Sequence, residues 1–258
     1  PAGDDFSKLQ YYERYDTDRN FPVQYWPYAN DMSMENPYWE LNRERYINHK
    51  LRQQFSVQLN WKIAPWLDLT GRVKYDRSDN KYEYKFHAST NLLYASEYGA
   101  YKDKRDTYTT YYAESFLKAN KYFGGDAWNI NAVLGANYTQ NNYDPIGFEG
   151  HLLGTANIFT FENVNKAENT FKVYQDDAYR NRIGAMFATA QLGYKSMAYL
   201  DVTARNDWSS KLEKNYFYWS AGISGIWTDI FPQLKSGGWL NYFKTRLSYA
   251  EVGNEPSQ

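Results

Sequence analysis

The chain has 258 residues, a formal net charge of −1 and a pI near 6.4, with no block of Lys or Arg, which argues against nucleic acid as a partner. It has no cysteine, so disulfides, thiol catalysis and zinc–thiolate sites are excluded. It combines 27 Tyr, 14 Phe and 9 Trp with a mean hydropathy of −0.80. That mixture suits a membrane barrel with aromatic girdles and a wet interior, and it also suits a tyrosine-rich soluble β protein.

No window approaches eighteen consecutive apolar residues, which excludes a transmembrane helix but not a barrel of alternating strands. Pro1-Ala2-Gly3-Asp4-Asp5 lacks the basic and apolar regions of a secretory leader, so the chain reads as mature or as an internal piece. Residues 1–50 hold Tyr25, Trp26, Tyr28, Tyr38 and Trp39 among Asp, Asn and Pro without period-2 order, and are expected to form an aromatic-rich loop. Within them, Asp16-Thr17-Asp18-Arg19-Asn20 opens like a calcium loop, but Phe21 and Pro27 stand where glycine and glutamate are needed.

From Gln54 to Ile63 the alternation is plain: Phe55, Val57, Leu59, Trp61 and Ile63 oppose Ser56, Gln58, Asn60 and Lys62. After Ala64-Pro65-Trp66, Leu67, Leu69, Val73 and Tyr75 oppose Asp68, Thr70, Arg72 and Lys74. A connection over 77–106 is expected, then strands over 107–122 and 127–141 joined at Gly124-Gly125. A second long connection covers 142–181. Strands over 182–194 and 197–206 meet at Lys195-Ser196. Residues 207–215 form a shorter loop, and strands over 216–230 and 240–250 are joined through Pro232 to Gly238. The phase of 107–122 is ambiguous, and Ala185 and Phe187 fall on the nominally polar side of 182–194.

The expectation is therefore an all-β fold of about eight antiparallel strands over 51–258, each long enough to span a bilayer at about nine to eleven residues. Long and tight connections alternate, as in outer-membrane barrels with long extracellular loops and short periplasmic turns. A soluble carbohydrate-binding β-sandwich and a complete eight-stranded barrel with a structural role are the alternatives.

Three segments carry a more specific signal. Tyr199-Leu200-Asp201-Val202-Thr203-Ala204-Arg205-Asn206-Asp207-Trp208-Ser209-Ser210, then Tyr218–Trp227, then Phe243–Asn254 occur in the order of the barrel signatures of the SusC/RagA family of TonB-dependent outer-membrane transporters, which the chain resembles. Trp219 replaces an expected proline and Ala250 a usual glycine. Asn36-Pro37-Tyr38-Trp39 resembles a loop motif of that family. The resemblance implies an internal stretch of a barrel of about 22 strands. It further implies import of oligosaccharides or peptides, a SusD-like surface lipoprotein as partner, energy through TonB acting on a plug outside this chain, and the outer membrane of a Gram-negative bacterium.

On that layout Tyr25, Trp26, Tyr28, Tyr38 and Trp39 are the candidate ligand contacts, because flat aromatic faces stack on sugars or peptide side chains. Arg72, Lys74, Asp201, Arg205 and Arg246 are expected to face the lumen. Trp61, Trp66, Trp128 and Trp239 lie near the tight turns and are expected in an aromatic girdle against outer-membrane lipid. His49, His87 and His151 are isolated, so no metal site is expected, nor any cofactor. Asp176-Asp177 and Gly222-Ile223-Ser224-Gly225 lack the geometry of a carboxylate dyad or a nucleophile elbow, and no catalytic residue is assigned.

Overall fold

The computed structural model describes residues 6–26, 35–175 and 177–253. A short 3-10 turn (Phe6–Gln10) leads into the hairpin β1 (Glu13–Asp16) and β2 (Phe21–Gln24), then helix α1 (Pro37–Arg43). The long strands follow: β3 (Glu44–Ala64), β4 (Leu67–His87), β5 (Gly99–Phe123) and β6 (Trp128–His151). After the two-residue β7 (Lys172–Val173) come β8 (Tyr179–Tyr194), β9 (Ala198–Ser209), β10 (Tyr216–Ile226), helix α2 (Trp227–Ile230) and β11 (Lys244–Ala250).

Eight strands, β3 to β6 and β8 to β11, form one sheet in chain order, with β7 attached to β6. β8 to β11 pair antiparallel. This is the all-β sheet with about eight long strands that the alternation predicts. Among the described residues no helix is long and apolar enough to cross a membrane.

The chain divides into two compact units. The unit of residues 53–76, 109–142 and 180–258 contains the alternating segments. Strand register there stacks like with like. Leu192, Leu200, Ile223 and Leu247 line up across β8 to β11, and so do Ala190, Val202, Ala221 and Tyr249. On the opposite face Gln191 sits across from Asp201, and Phe187 from Arg205.

Among the described residues, nothing covers the apolar face. Phe55 is 65% exposed and Leu59 72%. Of the ten buried hydrophobic residues among those described, only Ala185 belongs to this unit. A sheet with its apolar side outward and no core beneath it needs an apolar solvent, which a bilayer supplies.

Tight turns close this unit's hairpins. Pro65-Trp66 joins β3 to β4, and Gly124, Gly125 and Asp126, all at positive φ, join β5 to β6. Lys195 and Ser196 (φ 47° and 58°), the left-handed pair of a tight turn closed by the Met197 N–H on the Tyr194 carbonyl (2.9 Å), and Met197 itself connect β8 to β9. The fourth connection differs from the expected tight one. β10 ends at Ile226, and residues 227–243 carry α2 and a 3-10 turn (Pro232–Lys235) before β11 begins at Lys244. Pro232 cannot extend a ladder. Fully buried Thr228 accepts a hydrogen bond from the Phe243 N–H (3.3 Å) and ties the excursion to the start of β11.

Phe187 lies on the polar face because Gly135 on β6 makes room for it. A Cβ at Gly135 would come 2.5 Å from the tip of the Phe187 ring and 2.7 Å from the Phe116 Cβ. Replacing Gly135 by alanine is expected to cost roughly 1 kcal/mol, with Phe187→Leu recovering most of it. Urea unfolding of the intact protein in micelles, run as a double-mutant cycle, checks this; additive effects would contradict it.

The other unit comprises residues 1–52, 77–108 and 143–179. Its strands run further than the sequence pattern suggests: β4 continues to His87, β5 starts at Gly99 and β6 reaches His151. The expected long connections over 77–106 and 142–181 are therefore partly strand. A core of Tyr101, Leu152 and Val164 is flanked by Tyr98, Phe148, Phe159 and Phe171.

Candidate functional site

The N-terminal segment is knotted onto the 88–96 loop by polar groups. Asn36 is fully buried; its amide donates to the carbonyls of Leu9 (2.9 Å) and Tyr25 (3.1 Å), while its side-chain oxygen accepts from the Tyr38 N–H and caps α1. Pro37 at the first helical position has no N–H to orphan. Trp39 is fully buried and donates through Nε1 to Thr90 Oγ1 (2.9 Å), so this ring secures the knot and offers no surface to a ligand. Trp26 is half-buried, and Tyr25 is half-buried with the Arg14 guanidinium 3.9 Å above its ring. Tyr38 is 40% exposed. Tyr28 lies outside the described residues.

In the same unit a concave pocket of about 180 Å³ opens between β4, β5 and β6. Tyr84 and Phe86 on β4 form its aromatic wall, and Tyr46 of β3 packs edge-on against both at 4.9 and 5.3 Å. Lys102 on β5 and Glu149 on β6 join in an ion pair at 2.6 Å, and Lys102 Nζ also donates to the Tyr174 hydroxyl (3.0 Å). Burial works against the charge on both side chains. Their hydrogen bonds to each other and to Tyr174 outweigh it, so Lys102 is held above and Glu149 below the ordinary value. His151 meets Glu168 at 2.8 Å. Tyr94 and Thr170 reach in from the loops.

The Tyr82-x-Tyr84-x-Phe86 spacing, one aromatic at every second position, is the sequence signal for this wall. Reading 77–106 as a loop concealed it, because side chains two apart share a face only in a strand.

In the sheet unit, the charged residues expected in the lumen are bridged on the polar face. Arg72 faces Glu114 at 3.7 Å, Arg205 pairs with Asp207 at 2.9 Å, Arg246 with Asp201 at 3.4 Å, and Lys74 lies 5.4 Å from the Tyr112 ring centre. At the tight-turn ends, Trp66 lies beneath Lys121, and Trp128 packs on Phe123 and Tyr194 (6.3 and 4.6 Å). Trp227 stacks on Phe231. Trp61 is exposed within β3, and Trp239 is exposed in the 227–243 connection. Phe123, Tyr194 and Phe231 carry no mark in the sequence pattern that points to this belt. Among the described residues, no group of three or more potential ligands is placed to hold a metal ion.

No sequence-family profile matches the chain. A TonB-dependent receptor of Formosa agariphila is 22% identical over 231 residues, covering 88% of this chain and 21% of that protein. Among solved structures, the RagAB peptide importer in its closed-closed state superimposes with a TM-score of 0.73 at 16% identity, covering 93% of this chain and 26% of that one. Its open-open state gives 0.70 over 88% and 25%. The fold is that of a SusC/RagA-type barrel segment. The chain spans about a fifth of the length of the curated relative and about a quarter of the solved chains.

Proposed function

We infer that this chain is a wall segment of an outer-membrane, TonB-dependent transporter that imports an oligomeric nutrient, an oligosaccharide or a peptide. The observation that carries this reading is the sheet unit itself: eight strands in chain order, an apolar face left exposed, and a polar face of bridged charges. In this reading the tight turns with their aromatic belt face the periplasm, and the unit containing the N-terminal knot stands outside the cell. The polar face lines the lumen, where Arg72, Lys74, Asp201, Arg205 and Arg246 keep the wall wet. A SusD-like lipoprotein covers the extracellular end, and a plug elsewhere in the full protein couples to TonB. Peptides stand beside glycans because the solved relatives are described as peptide importers.

Deletion of the gene is expected to abolish uptake of one class of labelled oligomer, and a protonophore should abolish the same uptake in the parent strain. Recovery of the intact protein from the soluble fraction, or unchanged uptake of every oligosaccharide and peptide tested, would overturn the reading.

A further inference from the structure

Resting on the import reading above, we propose that the pocket between β4, β5 and β6 is a subsite for one uncharged pyranose ring, which makes a neutral oligosaccharide the cargo. Four observations converge on it. Tyr84 and Phe86, held by Tyr46 behind them, present aromatic surface to the space. A pyranose has an apolar C–H face that packs on such a surface, and a rim of hydroxyls that each donate and accept. About 180 Å³ accommodates a single ring and little more.

The polar groups are arranged for hydroxyls. Lys102 has three N–H donors, and Glu149 and the Tyr174 hydroxyl take two of them. A carboxylate has lone pairs to spare after Lys102, so the pair offers both a donor and an acceptor beside the aromatic wall.

The charges also argue against an ionic ligand. Lys102 is neutralised by Glu149 and His151 is engaged by Glu168, so no unmatched charge awaits a peptide terminus or an acidic or basic side chain. A charged group entering here would have to break the 2.6 Å pair, leaving one partner exposed to a poorly solvated wall. An apolar peptide side chain would leave the remaining donor and acceptor capacity unused.

The test uses the full-length transporter in micelles and titrates maltohexaose, xylohexaose, laminarihexaose and mannohexaose against neutral and charged hexapeptides by calorimetry. At least one neutral hexasaccharide is expected to bind saturably. Tyr84→Ala should weaken it about tenfold or more, whereas Tyr84→Phe, which keeps the ring, should stay within about threefold. Thr170→Trp fills the pocket from a loop without touching the strands and should abolish binding, so the idea stays exposed even if the alanine variant fails to fold.

Binding of peptides with no saccharide response overturns the ligand class while leaving import intact. Saccharide binding that Tyr84→Ala and Thr170→Trp leave within twofold overturns the pocket while leaving glycan import intact. Silence from both series overturns the proposal; loss of TonB-dependent uptake in cells is scored separately and reports on the import reading.

Discussion

Replacing Gly147 by alanine is expected to destabilise the protein by roughly 2–4 kcal/mol, whereas the same change at Gly71 should fall within about 1 kcal/mol of neutral. Both glycines lie in long strands, but their surroundings differ. Gly147 has φ +149°, and a Cβ there would overlap the carbonyl oxygen of Asp103 and come 2.6 Å from the Lys104 Cα. Those atoms are the backbone of β5, which cannot swing aside as a side chain can. Gly71 has no heavy atom within 4 Å of its would-be Cβ and no unusual φ. Urea unfolding of the intact protein in micelles, or the temperature of its heat-modifiable shift on gels, measures both. Equal midpoints for the two variants would show that β5 and β6 do not approach as closely as described.

The contrast between these glycines bears on what a sequence can reveal. Segments such as Phe55–Ile63 and Leu67–Tyr75 are legible because one face meets an apolar medium, which imposes a sustained period of two. The turn at Lys195-Ser196 is legible for the same reason, since apolar alternation stops on one side and resumes on the other. Beyond Asp76 the pattern changes phase along one uninterrupted strand. Leu67, Leu69, Val73 and Tyr75 are odd-numbered, but Tyr82, Tyr84 and Phe86 are even-numbered, with Lys81, Glu83 and Lys85 between them.

A search for constant phase reads such an inversion as a loop, so the pocket wall is overlooked while its residues are in plain view. The N-terminal knot is hidden for a different reason. Asn36 and Trp39 are fixed by Leu9, Tyr25 and Thr90, which are brought together by the fold and by no local spacing. Trp39 therefore reads from sequence as a surface aromatic, although burial makes it a structural one.

The same knot should respond to pH, and Glu44 sets the direction. Glu44 opens β3, is buried, and keeps its Oε1 without a hydrogen-bond partner. Burial first, then the hydrogen bond and charge of Glu35, then the charge of Glu40, push its carboxyl up to about 8, against an opposing hydrogen bond with Tyr46. Glu35 itself accepts from the Asn91 N–H and from Gln24 Nε2, so it is held in place beside Glu44 and opposes a second negative charge there.

A carboxyl whose folded value lies above its unfolded one stabilises the fold fully below the unfolded value of about 4.5, and that stabilisation is lost as pH rises through about 8. His87, held below its ordinary value chiefly by burial, acts in the opposite sense, losing stability only as pH falls below 6.5. Between pH 7 and pH 9 the Glu44 contribution can therefore be followed without interference from His87. Over that range the wild-type unit that holds the N-terminal knot should lose stability, while Glu44→Gln, which keeps a donor and removes the charge, should stay level. At pH 9 the variant is expected to be the more stable by on the order of 2 kcal/mol. Limited proteolysis of the intact protein across this range, scored at the N-terminal segment, distinguishes the cases. Parallel wild-type and variant profiles would remove Glu44 as the origin of the effect.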